Sequence, residues 1–139
     1  LDPAEMEKRN IHLQQKYAEI EANEVRYEEI NCEDAEYLIV AFGSCARIAQ
    51  KTMELARAEG IKVGLLRPIT LWPFPSKAIA ERAKQVKGIL TVELNAGQMV
   101  EDVRLAVECK VPVEHFGRLG GIVPDPDEVV NALKTKLIK

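Results

Sequence analysis

The sequence is poor in the residues that build disulfide and metal sites. Its three cysteines, Cys32, Cys45 and Cys109, are odd in number and far apart, which excludes a disulfide framework and a CxxC-type zinc or iron–sulfur cradle. The two histidines, His12 and His115, have no nearby carboxylates at ligand spacing. We therefore predict no metal site in this chain, and the unpaired cysteines favour a reducing, cytoplasmic setting.

Excess positive charge and long apolar runs are lacking as well. The 19 basic and 22 acidic residues give a formal net charge of −3, so no positive field attracts nucleic acid or anionic lipid. No apolar run approaches the ~20 residues that a membrane helix needs, and the N-terminus has no signal-peptide pattern. We expect no nucleic-acid partner and no membrane span. Because the first residue is Leu1 rather than Met, we also expect a piece of a longer protein.

The sequence does contain apolar runs that alternate with amphipathic segments. Four runs are typical of strands buried on both faces of a sheet, at 37–42, 61–66, 89–94 and 111–116. Helices with one apolar face are predicted at 44–60, 76–88 and 98–109, and a last one begins at Asp125-Pro126. The segment 25–30 alternates as an edge strand does. This order predicts an α/β fold with a mostly parallel sheet and helices on both faces.

A polar helix is predicted at the N-terminus, over residues 2–22. Asp2 is placed to cap it, and Pro3 suits its first position. Its apolar residues fall on a single stripe at helical spacing, formed by Met6, Leu13, Tyr17 and Ile20. One stripe on a polar helix indicates that the helix lies against something, either this domain or a neighbour.

The loop after the first buried strand carries no nucleotide signature. Neither GxGxxG nor GxxxxGK[ST] is present, and Ser44 is predicted simply to cap the following helix. Cys45 stands at that helix start, where the pKa of a thiol can fall. A nucleophilic pair of Cys45 with His115 is one interpretation, but we favour a packing role because no convincing base is near in sequence.

Two further strand ends leave open whether they bind a ligand or only shape a turn. Glu93, Asn95 and Gln98 could hydrogen-bond a ligand or partner, or Asn95 and Gly97 could satisfy the backbone of a turn. The segment 117–121 contains three glycines and Arg118. It permits close backbone approach, but on its own it is weak evidence for a site.

The stretch 71–75 combines the only tryptophan with a phenylalanine and two prolines. A stiff loop with exposed aromatic side chains favours contact with another surface. The other interpretation is that the loop folds back on the core of its own domain. Both stay open from the sequence alone.

Three ordered motifs resemble one known family. They are LLRPITLWPFP at 65–75, TVELNAGQMVEDVR at 91–104 and FGRLGGIVPDPDEV at 116–129. Together they resemble the C-terminal domain of the α subunit of 2-oxoacid:ferredoxin oxidoreductases, of the ketoisovalerate or 2-oxoglutarate type. The resemblance spans roughly 24–137. The helix before it is similar to the connector from a preceding domain, so we expect a connector over 1–23 and a transketolase C-terminal-like domain over 24–139.

The resemblance implies a role in oxidative decarboxylation of a 2-oxoacid to acyl-coenzyme A, with electrons passed to ferredoxin. The whole enzyme is implied to use thiamine diphosphate, magnesium, iron–sulfur clusters and coenzyme A, none of them held by this chain. The implied fold is a five-stranded mixed sheet whose first strand is antiparallel at the edge. We expect this segment to be inactive alone, with the remaining domains and subunits as partners, and a homodimer stays open.

No catalytic, cofactor or metal residue is therefore assigned. The residues expected to contact other domains are Arg67, Pro68, Leu71, Trp72, Pro73, Phe74, Pro75, Glu93, Asn95, Gly97 and Gln98. The competing hypothesis is a free-standing α/β module that binds a small ligand or anion at the strand-end loops. A cysteine-dependent enzyme is the third. Which 2-oxoacid the whole enzyme uses is not encoded here, because substrate contacts are expected in other segments.

Overall fold

The structure, a computed structural model, describes residues 2–138 and confirms the predicted three-layer α/β/α fold. In chain order the elements are α1 Pro3–Asn23, β1 Tyr27–Ile30, β2 Tyr37–Ala41, α2 Gly43–Ala58, β3 Val63–Pro68, α3 Ser76–Ala83, β4 Ile89–Glu93, α4 Met99–Val107, β5 Val113–Gly117 and α5 Pro126–Lys136.

The sheet has the strand order β1-β3-β2-β4-β5. The last four strands of the chain run parallel, and β1 is antiparallel to β3 at one edge, as the resemblance implied. Tyr27 pairs with Pro68, so the start of β1 lies beside the end of β3. Pro68 is the last residue of β3 and lies beyond Leu66, the last β3 residue paired with β2, so its missing N–H removes no bond from that ladder.

Two apolar layers cover the faces of the sheet. Helices α2 and α5 pack on one face over Ile39, Leu65 and Leu90, and helices α3 and α4 pack on the other over Val40 and Leu66. Neighbouring strand residues therefore serve opposite layers, and β2 to β4 are buried on both sides as their apolar runs predict. From β2 the chain passes through α2 on one face of the sheet to β3, and from β4 it passes through α4 on the other face to β5. Because these two connections lead in opposite directions along the sheet, the crevice between β2 and β4 is the switch point of the topology.

Helix α1 contributes nothing to either apolar layer. None of its residues is buried, although Asp2 caps it as predicted, by accepting a hydrogen bond from the Ala4 amide. Leu13 and Ile20 are half-buried. Tyr17 meets Trp72 edge to face, with ring centroids 5.6 Å apart. Of the apolar stripe of α1, Met6 and Tyr17 are thus exposed and Leu13 and Ile20 are half-buried.

Three predicted helix boundaries are wrong. Ser44 does not cap α2: the helix begins at Gly43, and the Ala46 amide donates to the Phe42 carbonyl oxygen at 3.2 Å, so Ser44 lies inside the first turn and no side chain caps the helix. Helix α3 ends at Ala83 rather than near Gly88. Helix α4 ends at Val107 because Glu108 and Cys109 take left-handed backbone angles.

Among the helices described for residues 2–138, none is long and apolar enough to cross a membrane.

The two aspartate caps provide a direct test of which helices stabilise the domain. We expect Asp125→Ala to lower the free energy of unfolding by about 1 kcal/mol, because it removes a capping box from α5, whose Val129 and Leu133 are fully buried. Asp2→Ala removes a comparable cap from α1, which buries nothing, and is expected to leave the urea midpoint unchanged. Equal effects of the two substitutions would contradict this account.

Candidate functional site

Exposed apolar side chains are concentrated at one edge of the sheet. Of the twelve large apolar side chains exposed in residues 2–138, eight lie where β3, β4 and β5 end or where β1 begins. We call these eight the carboxyl-edge surface: Tyr27, Ile69, Leu71, Trp72, Leu94, Leu119, Ile122 and Val123. The carboxyl ends of parallel strands meet at this edge, which is where the architecture ordinarily presents its working surface. Exposed apolar side chains in such number are often found where a protein contacts another surface, which stays a prediction for this edge.

The loop after β3 has an outer and an inner side. Pro73 and Pro75 are buried, and Phe74 packs against the apolar layer under α3 and α4. Thr70 fixes the loop: its hydroxyl accepts from the Arg26 amide at 3.0 Å and donates to the Pro73 carbonyl at 2.8 Å. The outer side of the loop is formed by Ile69, Leu71 and Trp72, which are exposed.

Trp72 belongs to that outer side. Its ring is 55% exposed and meets Tyr17 rather than the core. Its neighbours Ile69 and Leu71 are exposed too. Phe74 therefore packs on the domain's own core, as one interpretation predicts, whereas contact of the exposed Trp72 with another surface stays a prediction.

Glu93 lies at the other end of the exposure scale. Its carboxylate ends β4, is 1% exposed and accepts four hydrogen bonds from its own chain. Oε1 accepts from the amides of Gln98 (3.3 Å) and Met99 (2.8 Å) and from the Asn95 side chain (3.2 Å), and Oε2 accepts from the Val100 amide (3.1 Å). The three backbone amides belong to the start of α4, where N–H groups have no partner within the helix. Glu93 therefore caps that helix from the end of the preceding strand.

His115 on β5 closes the arrangement from the other side. Its Nδ1 lies 3.3 Å from Glu93 Oε2 and 3.1 Å from the Thr91 hydroxyl, and its Nε2 lies 3.3 Å from the Asn95 carbonyl oxygen. A Cβ at Gly117 would overlap that same carbonyl oxygen and would come within 2.5 Å of His115 Nε2. The motifs 91–104 and 116–129 are therefore one interlocked unit, which we call the Glu93 cluster: Thr91, Glu93, Asn95, His115 and Gly117.

The loop between β4 and α4 takes the form of a satisfied turn. The Asn95 side chain accepts from the Gly97 amide at 2.8 Å, and Gly97 has a φ of +114° that a side chain would strain. The backbone from Asn95 to Gly97 is therefore the turn that the second interpretation predicts. Gln98 is exposed, and its amide is held by Glu93.

Cys45 is a packing residue, as the helix spacing predicts. It is 3% exposed and lies in the apolar layer under α2 and α5. Burial, and secondarily the charge of Glu93, raise the pKa of its thiol. Because the thiolate is the nucleophile, a raised pKa argues against the catalytic pair with His115, whose ring nitrogens face Glu93, Thr91 and Asn95 instead.

The structure sorts the predicted contact residues into two groups. Arg67, Leu71, Trp72 and Gln98 are exposed at the carboxyl edge, while Pro68, Pro73, Pro75 and Glu93 are buried beneath it and Phe74, Asn95 and Gly97 lie between. Arg67 pairs with Glu28 on β1 at 3.1 Å. Sequence reasoning missed the support from Thr91 and His115, and it missed the apolar residues after Gly117. A signal was present, since Leu119, Ile122 and Val123 are apolar residues in a glycine-rich loop.

Comparison with known proteins decides the family. The family model described as pyruvate:ferredoxin oxidoreductase core domain II matches residues 35–129, which is more than half of the chain. This chain belongs to that family. It is 47% identical over 134 residues to ketoisovalerate oxidoreductase subunit VorB of Methanothermobacter marburgensis, covering 96% of this chain and 38% of that protein. The core domain II chain thus spans less than half the length of this curated relative.

Solved structures confirm the fold. A 2-oxoglutarate:ferredoxin oxidoreductase from Magnetococcus marinus, solved with 2-oxoglutarate, coenzyme A and succinyl-CoA bound, matches with a TM-score of 0.83 and 25% identity, over 98% of this chain and 24% of that one. A split-gene transketolase matches with a TM-score of 0.68 and 22% identity, over 81% of this chain and 41% of that one. The second match supports the transketolase C-terminal-like fold alone.

The described residues contain no metal-ligand cluster. Within residues 2–138, no three His, Cys, Asp or Glu side chains come together as metal ligands. Glu93, the buried carboxylate among these residues, already accepts from four N–H groups.

The Glu93 cluster predicts that Gly117 cannot carry a side chain. We expect Gly117→Ala to destabilise the domain by about 1–3 kcal/mol, because the new Cβ forces Asn95 and His115 apart. Gly88→Ala is the matched control, since its Cβ would meet only the mobile end of the Leu137 side chain. Urea denaturation of the three proteins decides the point, and a wild-type midpoint for Gly117→Ala would contradict the close approach.

Thiol accessibility gives a second test. At pH 7.5, iodoacetamide is expected to label the exposed Cys109 first, and Cys45 and Cys32 only as the protein unfolds. Burial raises the pKa of Cys32 to about 11, so little thiolate exists there at neutral pH. Peptide mass spectrometry over time measures the order, and early labelling of Cys45 would reopen a nucleophilic role.

Proposed function

We propose that this chain is the assembly domain of the α subunit of a thiamine diphosphate-dependent 2-oxoacid:ferredoxin oxidoreductase, and that it binds the rest of the enzyme through the carboxyl-edge surface. The observation that carries the proposal is the concentration of eight exposed apolar side chains at one edge of the sheet. An apolar surface of this kind is stable in a complex because docking removes it from water.

The occupant of that surface is the remainder of the oxidoreductase. This chain matches 38% of the curated relative and 24% of the solved oxidoreductase chain, so most of each relative lies outside the matched segment. In our proposal 24–139 is the docking domain, and 1–23, with the partly exposed stripe of α1, is the connector to a preceding domain. The predicted contact residues Arg67, Leu71, Trp72 and Gln98 face that partner, and the buried ones shape the loops beneath.

The reaction proposed for the whole enzyme is the oxidative decarboxylation of a 2-oxoacid to acyl-coenzyme A, with electrons passed to ferredoxin. In this proposal thiamine diphosphate, magnesium, iron–sulfur clusters and coenzyme A are held by other segments; for the metals this is supported by the lack of a His, Cys, Asp or Glu cluster among the described residues. The relatives support the substrate class, because one is named for ketoisovalerate and another was solved with 2-oxoglutarate. The proposed setting is the cytoplasm, in keeping with three unpaired cysteines.

A chimeric enzyme tests the proposal. The matched segment of VorB from Methanothermobacter marburgensis is replaced by this chain, and the subunit is produced with the other subunits of that enzyme. We expect the chimera to co-purify with them and to reduce ferredoxin with ketoisovalerate. A folded chimeric subunit that stays apart from the others would contradict the proposal and favour the free-standing ligand-binding module.

Within this chimera, Trp72→Ala measures how much the carboxyl-edge surface contributes to the free energy of assembly. Because Trp72 is exposed and contacts only Tyr17 among the aromatic rings described, its loss is expected to leave the isolated 139-residue chain folded. Assembly is expected to weaken by about 2 kcal/mol or more, the usual cost of removing a central aromatic anchor.

The matched control for Trp72→Ala is Leu105→Ala, a side chain that is 78% exposed on α4 away from the carboxyl edge. Thermal unfolding of the isolated chain and gel filtration of the chimera at falling concentration provide the two readouts. A Trp72→Ala chain that melts early but assembles normally would place the ring in the fold and not in the interface.

A further inference from the structure

The residues that position the carboxyl-edge surface are separate from the residues that form it. Leu94 is 48% exposed and directly follows Glu93, which is buried. The backbone on the far side of Leu94 is held as well, because the Asn95 side chain reaches back to Glu93 and the Asn95 carbonyl faces His115. The outward direction of Leu94 is therefore set by contacts on both of its neighbours.

The backbone of the same residue also contacts the loop after β5, so the position of β4 at Glu93 bears on that loop. The Glu93 backbone carbonyl accepts from the Arg118 amide at 3.2 Å, at the point where that loop begins. The Arg118 guanidinium pairs with Glu128, whose carboxylate accepts from the Asp125 amide in the capping box of α5. The loop that presents Leu119, Ile122 and Val123 is thus anchored to β4 at one end and to α5 at the other.

We propose that Glu93 is a positioning residue for assembly: by joining the start of α4, the turn at Asn95 and the β5 residue His115, it holds Leu94 and the loop after β5 in the arrangement that the partner binds. This inference rests on the proposed function, and it names the device that sets the geometry of the same surface. Glu93 itself contacts no partner, because it is buried and its carboxylate is used within the chain.

The carboxylate is required for this role, and its size alone is not sufficient. Both oxygens of Glu93 accept hydrogen bonds from backbone amides, at Met99 and Val100. A glutamine has the same length but one of its two groups is a donor, so at least one of these amides loses its acceptor. The negative charge at the N-terminus of α4 is lost with it.

The first test is local and needs no partner. In the isolated 139-residue chain, we expect Glu93→Gln to lower hydrogen-exchange protection of the amides of residues 98–100 by about tenfold or more, the effect of one unsatisfied buried group. Leu94→Ala is the control and is expected to leave those amides unchanged. Unchanged protection in Glu93→Gln would overturn the inference, whatever the function of the domain.

The second test joins the cluster to assembly in the chimeric enzyme. Glu93→Gln and Leu94→Ala are each expected to weaken assembly about tenfold, a typical interface effect, and the double variant is expected to be no more than about twofold weaker than Glu93→Gln alone. A residue that only stabilised the fold would give additive losses instead. Additive losses would therefore overturn the positioning role.

A milder substitution keeps the inference testable if Glu93→Gln does not fold. Asn95→Ala removes two hydrogen bonds of the same turn, one to Glu93 and one from the Gly97 amide, and leaves the cap of α4 in place. It is expected to weaken assembly less than Glu93→Gln does, and its effect is again expected to be non-additive with that of Leu94→Ala. If Leu94→Ala and Trp72→Ala both leave assembly unchanged while Glu93→Gln still exposes the amides of 98–100, the proposed function fails and the local role of Glu93 stands.

Discussion

A buried carboxylate at the start of a helix holds the working edge of this domain together. Among the described residues, no lysine or arginine forms an ion pair with Glu93; its partners are backbone amides, the Asn95 side-chain amide and His115. A charge in such a place is tolerable only when it is hydrogen-bonded on all sides, and the amides at a helix N-terminus supply donors that would otherwise lack acceptors. Each side of the contact therefore satisfies the other, and losing either one leaves buried polar groups without partners.

This use of Glu93 bears on what the edge can do. The crevice between β2 and β4 is where proteins of this architecture ordinarily bind ligands. Here the acid at the end of β4 points into its own chain, and Cys45 after β2 is a buried thiol whose pKa is raised by burial and by Glu93. Both of these groups thus serve the fold, and the exposed side chains of the edge include the eight large apolar ones beside the polar Arg67 and Gln98. A surface of that composition suits a protein partner better than a small anion.

The sequence predicted the strands and most helices because their signals are local and strong. Continuous apolar runs fix β2, β3 and β4, and Asp125-Pro126 with Glu128 produces the capping box of α5. The predicted Ser44 cap is wrong because the first helical hydrogen bond already reaches back to Phe42, which places Ser44 inside the first turn of α2. For the site, the motifs pointed to the loops at the ends of β3, β4 and β5, where the exposed apolar side chains lie. They could not show which side of each loop faces inward, since burial of Phe74 and exposure of Trp72 depend on elements distant in sequence.

Rigidity and apolarity at this edge are complementary requirements. An apolar surface on a mobile loop would lose conformational entropy on docking, and much of the gain from burial would be offset. In this domain the loop after β3 is fixed by Thr70 and by buried prolines, and the two remaining loops are fixed through Glu93 and Arg118. The hydrogen bonds of Thr70, Glu93 and Arg118 keep these loops in place. The apolar side chains on the outside of the loops then remain available to a partner. Arg118 and Leu119 illustrate these two roles: Arg118 forms an ion pair with Glu128 within the chain, while the adjacent Leu119 is exposed.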